Sequence, residues 1–407
     1  MKLGFLDTFP LEYVIETPYC QPLGGSQSAL CYLAEALATR GHEVFLFNNI
    51  QKATVSRGVK CQPRGITEAD IPLLRNLDAL IVLNTAIQPN SVKPFLGEKT
   101  RLILWTQHEP LSQPVWYLKD QNIQNGYDNF VLISDWQKRQ FEYYFKIPSE
   151  KICILRNAFS PVFVGQFPQN QNREFYHGWS LERFSNCPIL SQKSDPPILA
   201  YMSTPYRGLD ILLKVFPQIR ARVPGVTLKV FSSMKIYQSS RIVVDDVPFQ
   251  SLYDQCQALE GVEYMGAVSQ GKLAQELRSV LMLAYPNTFP ETSCISVMEA
   301  LASGCLVVTS NLAALPETTG GFADLIAVEN VRQFSTIQNW SLADNLNWQP
   351  YLNQFTEKVV ENLILCQQKP QLIEEKLQKQ VNYMNRLCTW QVRAHQWVQW
   401  LKGLGIN

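Results

Sequence analysis

Short apolar runs alternate with helix-spaced stretches along most of this 407-residue sequence, and the alternation lapses once. KLGFLD (Lys2 to Asp7) has the make-up of a buried strand. GGSQSALCYLAEALATRGHEV follows, with Ala29, Leu30, Leu33, Leu37 and Ala38 at helical spacing up to Gly41. Further strands are expected at EVFLFN (Glu43 to Asn48), ALIVLN (Ala79 to Asn84), RLILW (Arg101 to Trp105), FVLIS (Phe130 to Ser134) and KICIL (Lys151 to Leu155). Apolar strands separated by helical patterns imply a parallel sheet covered by helices.

Between Ser160 and Pro197 the periodicity fails in a stretch rich in Pro, Asn, Gln and Ser. It resumes with ILAYMS (Ile198 to Ser203), a helix over Leu209 to Arg222, VTLKVFS (Val226 to Ser232) and VEYMG (Val262 to Gly266). VLMLAYP (Val280 to Pro286), CLVVTS (Cys305 to Ser310) and ADLIAV (Ala323 to Val328) complete the second set, and after Trp348 the pattern is helical. The expected organisation is two doubly wound α/β domains, 1–165 and 197–388, with 166–196 as a linker and 389–407 as a closing amphipathic helix. Ligands of such sheets bind at the carboxyl ends of the strands, here in a cleft between the two domains.

A formal net charge of +1 gives no reason to expect a nucleic-acid partner. No apolar run reaches the 18 or so residues of a membrane span. The start, MKLGFLDTFPLEYVIETPYC, lacks a signal-peptide core, so an intracellular, cytoplasmic protein is expected. Ten cysteines without a C-x-x-C pair read as reduced thiols, not a disulfide framework or a zinc site. No aspartate-x-aspartate metal motif occurs in a suitable loop, and Asp245 with Asp246 has the look of a turn.

Four stretches could carry chemistry. PLGGSQ (Pro22 to Gln27) puts Gly24 and Gly25 before a helix, where backbone N–H groups suit a phosphate, although a plain turn uses the same pair. It is not a G-x-G-x-x-G fingerprint, and the second strand ends without an acidic residue, which argues against a nicotinamide dinucleotide. WTQHEP (Trp105 to Pro110) places His108 after a strand, where it could bind sugar hydroxyls, move a proton or simply pack on Trp105 or Trp116. MSTPYRGLDILL (Met202 to Leu212) sets Arg207 at a helix start, suited to a pyrophosphate or to solvent.

The fourth stretch is FPETSCISVMEALASGCLVVTS, Phe289 to Ser310. A helix capped by Thr292 or Ser293 and ended by Gly304 would aim the N–H groups of Ser293, Cys294, Ile295 and Ser296 at an anion. Glu299, about two turns in, sits among Val297, Met298, Ala300 and Leu301, where a ribose diol donating two hydrogen bonds would resolve its burial. Glu291 would point toward whatever the phosphate carries.

Glu291 and Glu299, seven residues apart by intervening count, with ALASGCLVVTS and LPE after them, resemble the signature of the family 4 retaining glycosyltransferases of the GT-B fold. The GGSQ loop, LRNAF, RGLDILL and VEYMGAVSQGKLAQEL fall in the family's order, so the resemblance covers nearly the whole chain. It implies a closing helix that crosses back to the first domain and a metal-independent, retaining transfer of a hexose. The donor would be a nucleotide sugar, with UDP favoured, and the acceptor hydroxyl would belong to a sugar, glycolipid or small molecule. No other cofactor is implied. Gly24 and Gly25 would approach the donor diphosphate, Arg207 would bind the pyrophosphate and Glu299 the ribose. Glu291 and His108 would hold the transferred sugar, and Gly266 would lie near the base.

Two departures stand out. The arginine usual before the lysine-glycine pair is absent from Met202 to Thr204, with Arg207 in the lysine position, and Ser293 with Cys294 replaces a phenylalanine-glycine pair. A nucleotide-sugar epimerase of similar architecture and an inactive nucleotide-sugar-binding protein are the alternatives. Asp135 to Lys151 mixes basic and aromatic residues, which leaves a weak peripheral membrane contact open beside a solvated helix. Oligomeric state has no signature in the sequence.

Overall fold

A computed structural model describes residues 1–65, 68–167, 173–176, 179–182, 188–237, 246–328 and 348–406. The chain divides into two units, one holding Met1–Ala158 and Trp390–Asn407 with Tyr237, the other Phe159–Ile236 and Val244–Thr389.

The first unit is built on an eight-stranded sheet. Its strands are β1 (Lys2–Asp7), β2 (Glu43–Asn48), β3 (Thr54–Ser56), β4 (Val59–Pro63), β5 (Ala79–Leu83), β6 (Arg101–Trp105), β7 (Asn129–Leu132) and β8 (Ile152–Ile154), in the order β3-β4-β2-β1-β5-β6-β7-β8. Every pair is parallel except β3 with β4. Burial on both faces explains the continuous apolar runs, since all five residues of β5 are buried. The β3–β4 hairpin was not foreseen: TVS is mostly exposed and VKCQP half-polar, so neither gives a strand signal at this sheet edge.

The closing helix Trp390–Gly403 belongs to this unit. Trp397 meets Trp105 edge to face with ring centroids 5.4 Å apart, and Arg393 Nε donates to the Asn157 carbonyl at 2.9 Å. Such aromatic pairs add about 1 kcal/mol beyond the area they bury.

In the second unit β9 (Arg173–Tyr176) and β10 (Trp179–Glu182) form an antiparallel pair. The main sheet comprises β11 (Ile198–Met202), β12 (Thr227–Phe231), β13 (Val262–Tyr264), β14 (Met282–Tyr285), β15 (Leu306–Ser310) and β16 (Asp324–Ile326). All its pairs are parallel and the order is β13-β12-β11-β14-β15-β16, so the chain starts in the middle, winds out one way and returns to wind the other. The switch point lies between β11 and β14.

The expected linker, 166–196, is corrected by packing. Phe159 and Phe163 are fully buried in the second unit, where the Phe159 N–H donates to the Cys388 carbonyl at 3.3 Å. The Ile189 and Leu190 N–H groups donate to the two oxygens of Glu374 at 2.9 and 2.8 Å. Lys193 is buried with its ammonium 2.7 Å from the Ser303 carbonyl. Loss of periodicity at Ser160 marks the end of regular alternation, whereas the unit boundary falls at Ala158, because the next aromatic residues serve the other core. Part of the expected linker, 168–172, 177–178 and 183–187, lies outside the described residues.

Candidate functional site

The second sheet directs two loops to the carboxyl ends of β11 and β14, on either side of the switch point. The loop after β14 runs from Pro286 to Cys294, and its two prolines exclude regular structure. Buried Asn287 closes it locally, donating through Nδ2 to the Phe289 carbonyl at 2.6 Å and accepting the Phe289 N–H at 3.0 Å. The following helix is Ile295–Ala302, with Cys294 at the N-cap and no side chain capping it.

That start corrects the expectation of a Thr292 or Ser293 cap. Ser293 lies in the loop, the orphan N–H groups are those of Cys294, Ile295, Ser296 and Val297, and Glu299 stands just over one turn in. The predicted end is where the structure has it. Gly304 adopts φ 62, the Cys305 N–H bonds the Ala300 carbonyl at 2.9 Å, and the Gly304 N–H bonds the Leu301 carbonyl at 3.1 Å.

Glu299 is only 2% exposed. Burial pushes its carboxyl up to about 8, an effect held back in part by the Ser160 backbone N–H and the Gln270 side chain. Its Oε1 is buried and has no hydrogen-bond partner among the described residues. Gln270, first residue of the helix Gln270–Leu277, likewise keeps a buried Oε1 without a partner. Both oxygens carry a desolvation cost of about 1–3 kcal/mol that a bound donor would relieve.

Glu291, in the loop, is 5% exposed and pairs with Arg207 from the β11 loop. Arg207 Nη1 lies 2.9 Å from Glu291 Oε1, and the Tyr285 hydroxyl donates to the same oxygen at 2.7 Å. Ser203 Oγ is 3.2 Å from that hydroxyl, so a polar chain links Ser203, Tyr285, Glu291 and Arg207. The guanidinium also lies 4.5 Å from the Phe289 ring centroid and 5.5 Å from that of Tyr206. The expectations gave Arg207 and Glu291 separate ligand contacts; the structure brings them into one ion pair.

Gly208 is what permits this approach. It adopts φ 107, and a Cβ built there would stand 2.2 Å from the Pro286 carbonyl oxygen, so any side chain would drive the two loops apart. Cys294 is buried beside the pair, and burial, then the charge of Glu291, raises its thiol well above the ordinary value. Gly266 follows β13 at φ 64 with open space where a side chain would be. Asp246 accepts from Ser233 Oγ, the Met234 N–H and the Tyr253 hydroxyl, each at 2.9 Å, while Asp245 lies outside the described residues. Among the described residues no group of three or more His, Cys, Asp or Glu could hold a metal ion.

The first unit holds the remaining candidates. Gly24 is the N-cap and Gly25 the first residue of the helix Gly25–Thr39. Asp7, buried at the end of β1, accepts the Tyr13 hydroxyl at 2.8 Å, the Phe9 N–H at 2.9 Å and Gln27 Nε2 at 3.2 Å. Burial raises its carboxyl, and these donors oppose the rise. The carboxylate thereby fixes the glycine loop through Gln27, whose Oε1 would stand 3.1 Å from a Cβ on Gly24. His108 is half-buried after β6, its N–H 3.3 Å from Thr106 Oγ1 and its carbonyl receiving Gln137 Nε2 at 2.7 Å.

Sequence reasoning missed Tyr285, Ser203 and Gln270. Ser203 and Tyr285 lie at the carboxyl ends of expected strands, which was the available signal, whereas Gln270 opens a helix and carried none.

Taken over its whole length, the chain is similar in fold to several proteins of known structure. It superposes on a glycosyltransferase from Rickettsia africae with a TM-score of 0.67 at 12% identity, over 100% of this chain and 99% of that one. For sucrose-phosphate synthase from Thermosynechococcus elongatus the TM-score is 0.64 at 13% identity, over 99% of both chains. For Anabaena Alr3699/HepE in complex with UDP and glucose it is 0.63 at 14% identity, over 99% of this chain and all of the other. The fold is GT-B, with two Rossmann-like α/β domains. No curated protein matches the sequence. Residues 197–343, in the second unit, match the family model described as "Glycosyl transferases group 1".

Proposed function

We propose that this protein is a retaining glycosyltransferase that moves a hexose from a nucleotide sugar, UDP-linked by preference, to an acceptor hydroxyl. Supporting this is one observation above the others: within residues 197–343, the loops at the ends of β11 and β14 present a guanidinium and a paired carboxylate, and the helix that follows presents a second, buried carboxylate with an unfilled oxygen. A nucleoside diphosphate sugar offers the complementary set, an anionic diphosphate, sugar hydroxyls and a ribose diol. The Anabaena neighbour was solved with UDP and glucose, and a neighbouring starch synthase with ADP and acarbose.

In this reading Arg207 binds the diphosphate, and the orphan N–H groups at Cys294, Ile295 and Ser296 add a fixed positive potential. Glu299 binds the ribose. Glu291 uses Oε2, which has no hydrogen bond among the described residues, for a hydroxyl of the transferred sugar, while Oε1 stays with Arg207 and Tyr285. Gly266 is assigned to the base. The acceptor hydroxyl attacks the anomeric carbon on the face the diphosphate leaves, and a departing phosphate oxygen takes its proton. The new bond keeps the anomeric configuration, with charge on the leaving group balanced by Arg207 and helix ends and no metal required.

Thermal-shift screening with UDP-, ADP- and GDP-sugars tests the donor assignment. A rise in melting temperature with at least one of them, strongest for a UDP-sugar, is expected. No shift with any at millimolar concentration would remove nucleotide sugars as ligands.

A further inference from the structure

The unfilled oxygens of Glu299 and Gln270 raise a question that the ion pair does not. Two acceptors come together in the second unit, one from the helix after β14 and one from the helix after β13, and both are out of water. A single ligand hydroxyl would satisfy one of them and leave the other exposed to the full desolvation cost. A ligand with two adjacent hydroxyls satisfies both, provided the acceptors are held side by side, and the Gln270 side chain is already engaged with the Glu299 carboxylate.

Elements around the pair hold it still. Ser160 gives its backbone N–H to Glu299 from the stretch that enters the second unit. Ser269, at the N-cap, accepts the Lys272 N–H at 3.4 Å and fixes the start of the helix that carries Gln270. A carboxamide is suited to the second position because it accepts without adding a second buried negative charge next to Glu299.

We propose that Gln270 is a specificity-determining residue that accepts one hydroxyl of the ribose diol while Glu299 accepts the other, so that the site selects ribonucleotides over deoxyribonucleotides. The inference rests on the nucleotide-sugar reading above. Each hydroxyl removed leaves one buried acceptor unpaired, which corresponds to roughly tenfold in affinity.

The test is isothermal titration of the full-length protein with UDP, 2′-deoxy-UDP and 3′-deoxy-UDP, for wild type, Gln270→Met and Glu299→Gln. Wild type should lose about tenfold on removal of either hydroxyl. Gln270→Met should bind UDP about tenfold more weakly and lose discrimination against one of the two deoxy compounds while keeping it against the other. The ratios are internal to each variant, so a partly unfolded preparation does not disguise the outcome. If Gln270→Met keeps both wild-type ratios, Gln270 reads no hydroxyl and the proposal is overturned while the donor site stands. If wild type binds none of the three, nor the ADP and GDP counterparts, the nucleotide-sugar reading fails and takes this one with it.

Discussion

Replacing Glu299 by glutamine should make the second domain more stable in alkali and poorer at binding its nucleotide. The carboxyl is pushed from an ordinary 4.5 to about 8 by burial, so the folded state keeps a proton that the unfolded chain has given up. With more protons bound in the native state, stability falls as pH rises, and it does so across the interval from 4.5 to about 8. At about 1.4 kcal/mol per pH unit the ceiling on that loss is about 5 kcal/mol, and local relaxation around a buried charge leaves several kcal/mol as the working expectation. Glutamine has the same shape and no charge, so the Glu299→Gln protein should lack this component. In thermal melts at pH 5 and pH 9 the wild-type melting temperature should drop further than that of the variant, by roughly 5 °C or more. Donor affinity in the same variant should fall at least tenfold, because a neutral amide accepts a diol less well than a carboxylate. Identical pH dependence in the two proteins would show that Glu299 titrates normally and that its burial has been misread.

Gly208→Ala should destabilise the second domain by about 2 kcal/mol or more, since the new Cβ would stand 2.2 Å from the Pro286 oxygen at φ 107, and a denaturant midpoint equal to wild type would refute that crowding. Tyr285→Phe removes one of two donors to Glu291 Oε1, so turnover should fall about tenfold with the fold intact; unchanged kcat and KM would take Tyr285 out of the site. Because a ribose hydroxyl donated to Glu299 favours its ionised form, UDP binding should release a proton below pH 8, measurable as a buffer-dependent titration enthalpy, and equal enthalpies in buffers of different ionisation heat would contradict it. Activity in excess chelator should equal that without it, and loss restored by magnesium would end the metal-independent mechanism.

Much of the fold is legible because a parallel sheet buries both faces. The runs at Lys2–Asp7, Glu43–Asn48 and Arg101–Trp105 are strands with the expected ends, and Leu209–Arg222 is the expected helix. What escapes is structure held by few apolar contacts, as in Thr54–Ser56, and boundaries set by tertiary packing, as at Phe159. In the site, Glu299 announces itself through an apolar neighbourhood. Its partner Gln270 has no such signal, because a glutamine at the first turn of a helix is ordinary until the fold brings it to a buried carboxylate. The pairing of Arg207 with Glu291 spans 84 residues and depends on two loops meeting over Gly208, which no local pattern encodes. The helix start moved because Thr292 and Ser293 have the chemistry of caps but lie in a loop fixed by Asn287 and Pro290.

Mass spectrometry and NMR of the products that wild type forms from a UDP-hexose and a panel of sugar, glycolipid and small-molecule acceptors decide whether sugar is transferred. UDP release coupled to an acceptor heavier by one hexose, with the anomeric configuration of the donor, is expected, with loss of both in Glu291→Ala. Donor that binds and is recovered intact with every acceptor, or is returned as its epimer with no UDP released, would contradict it.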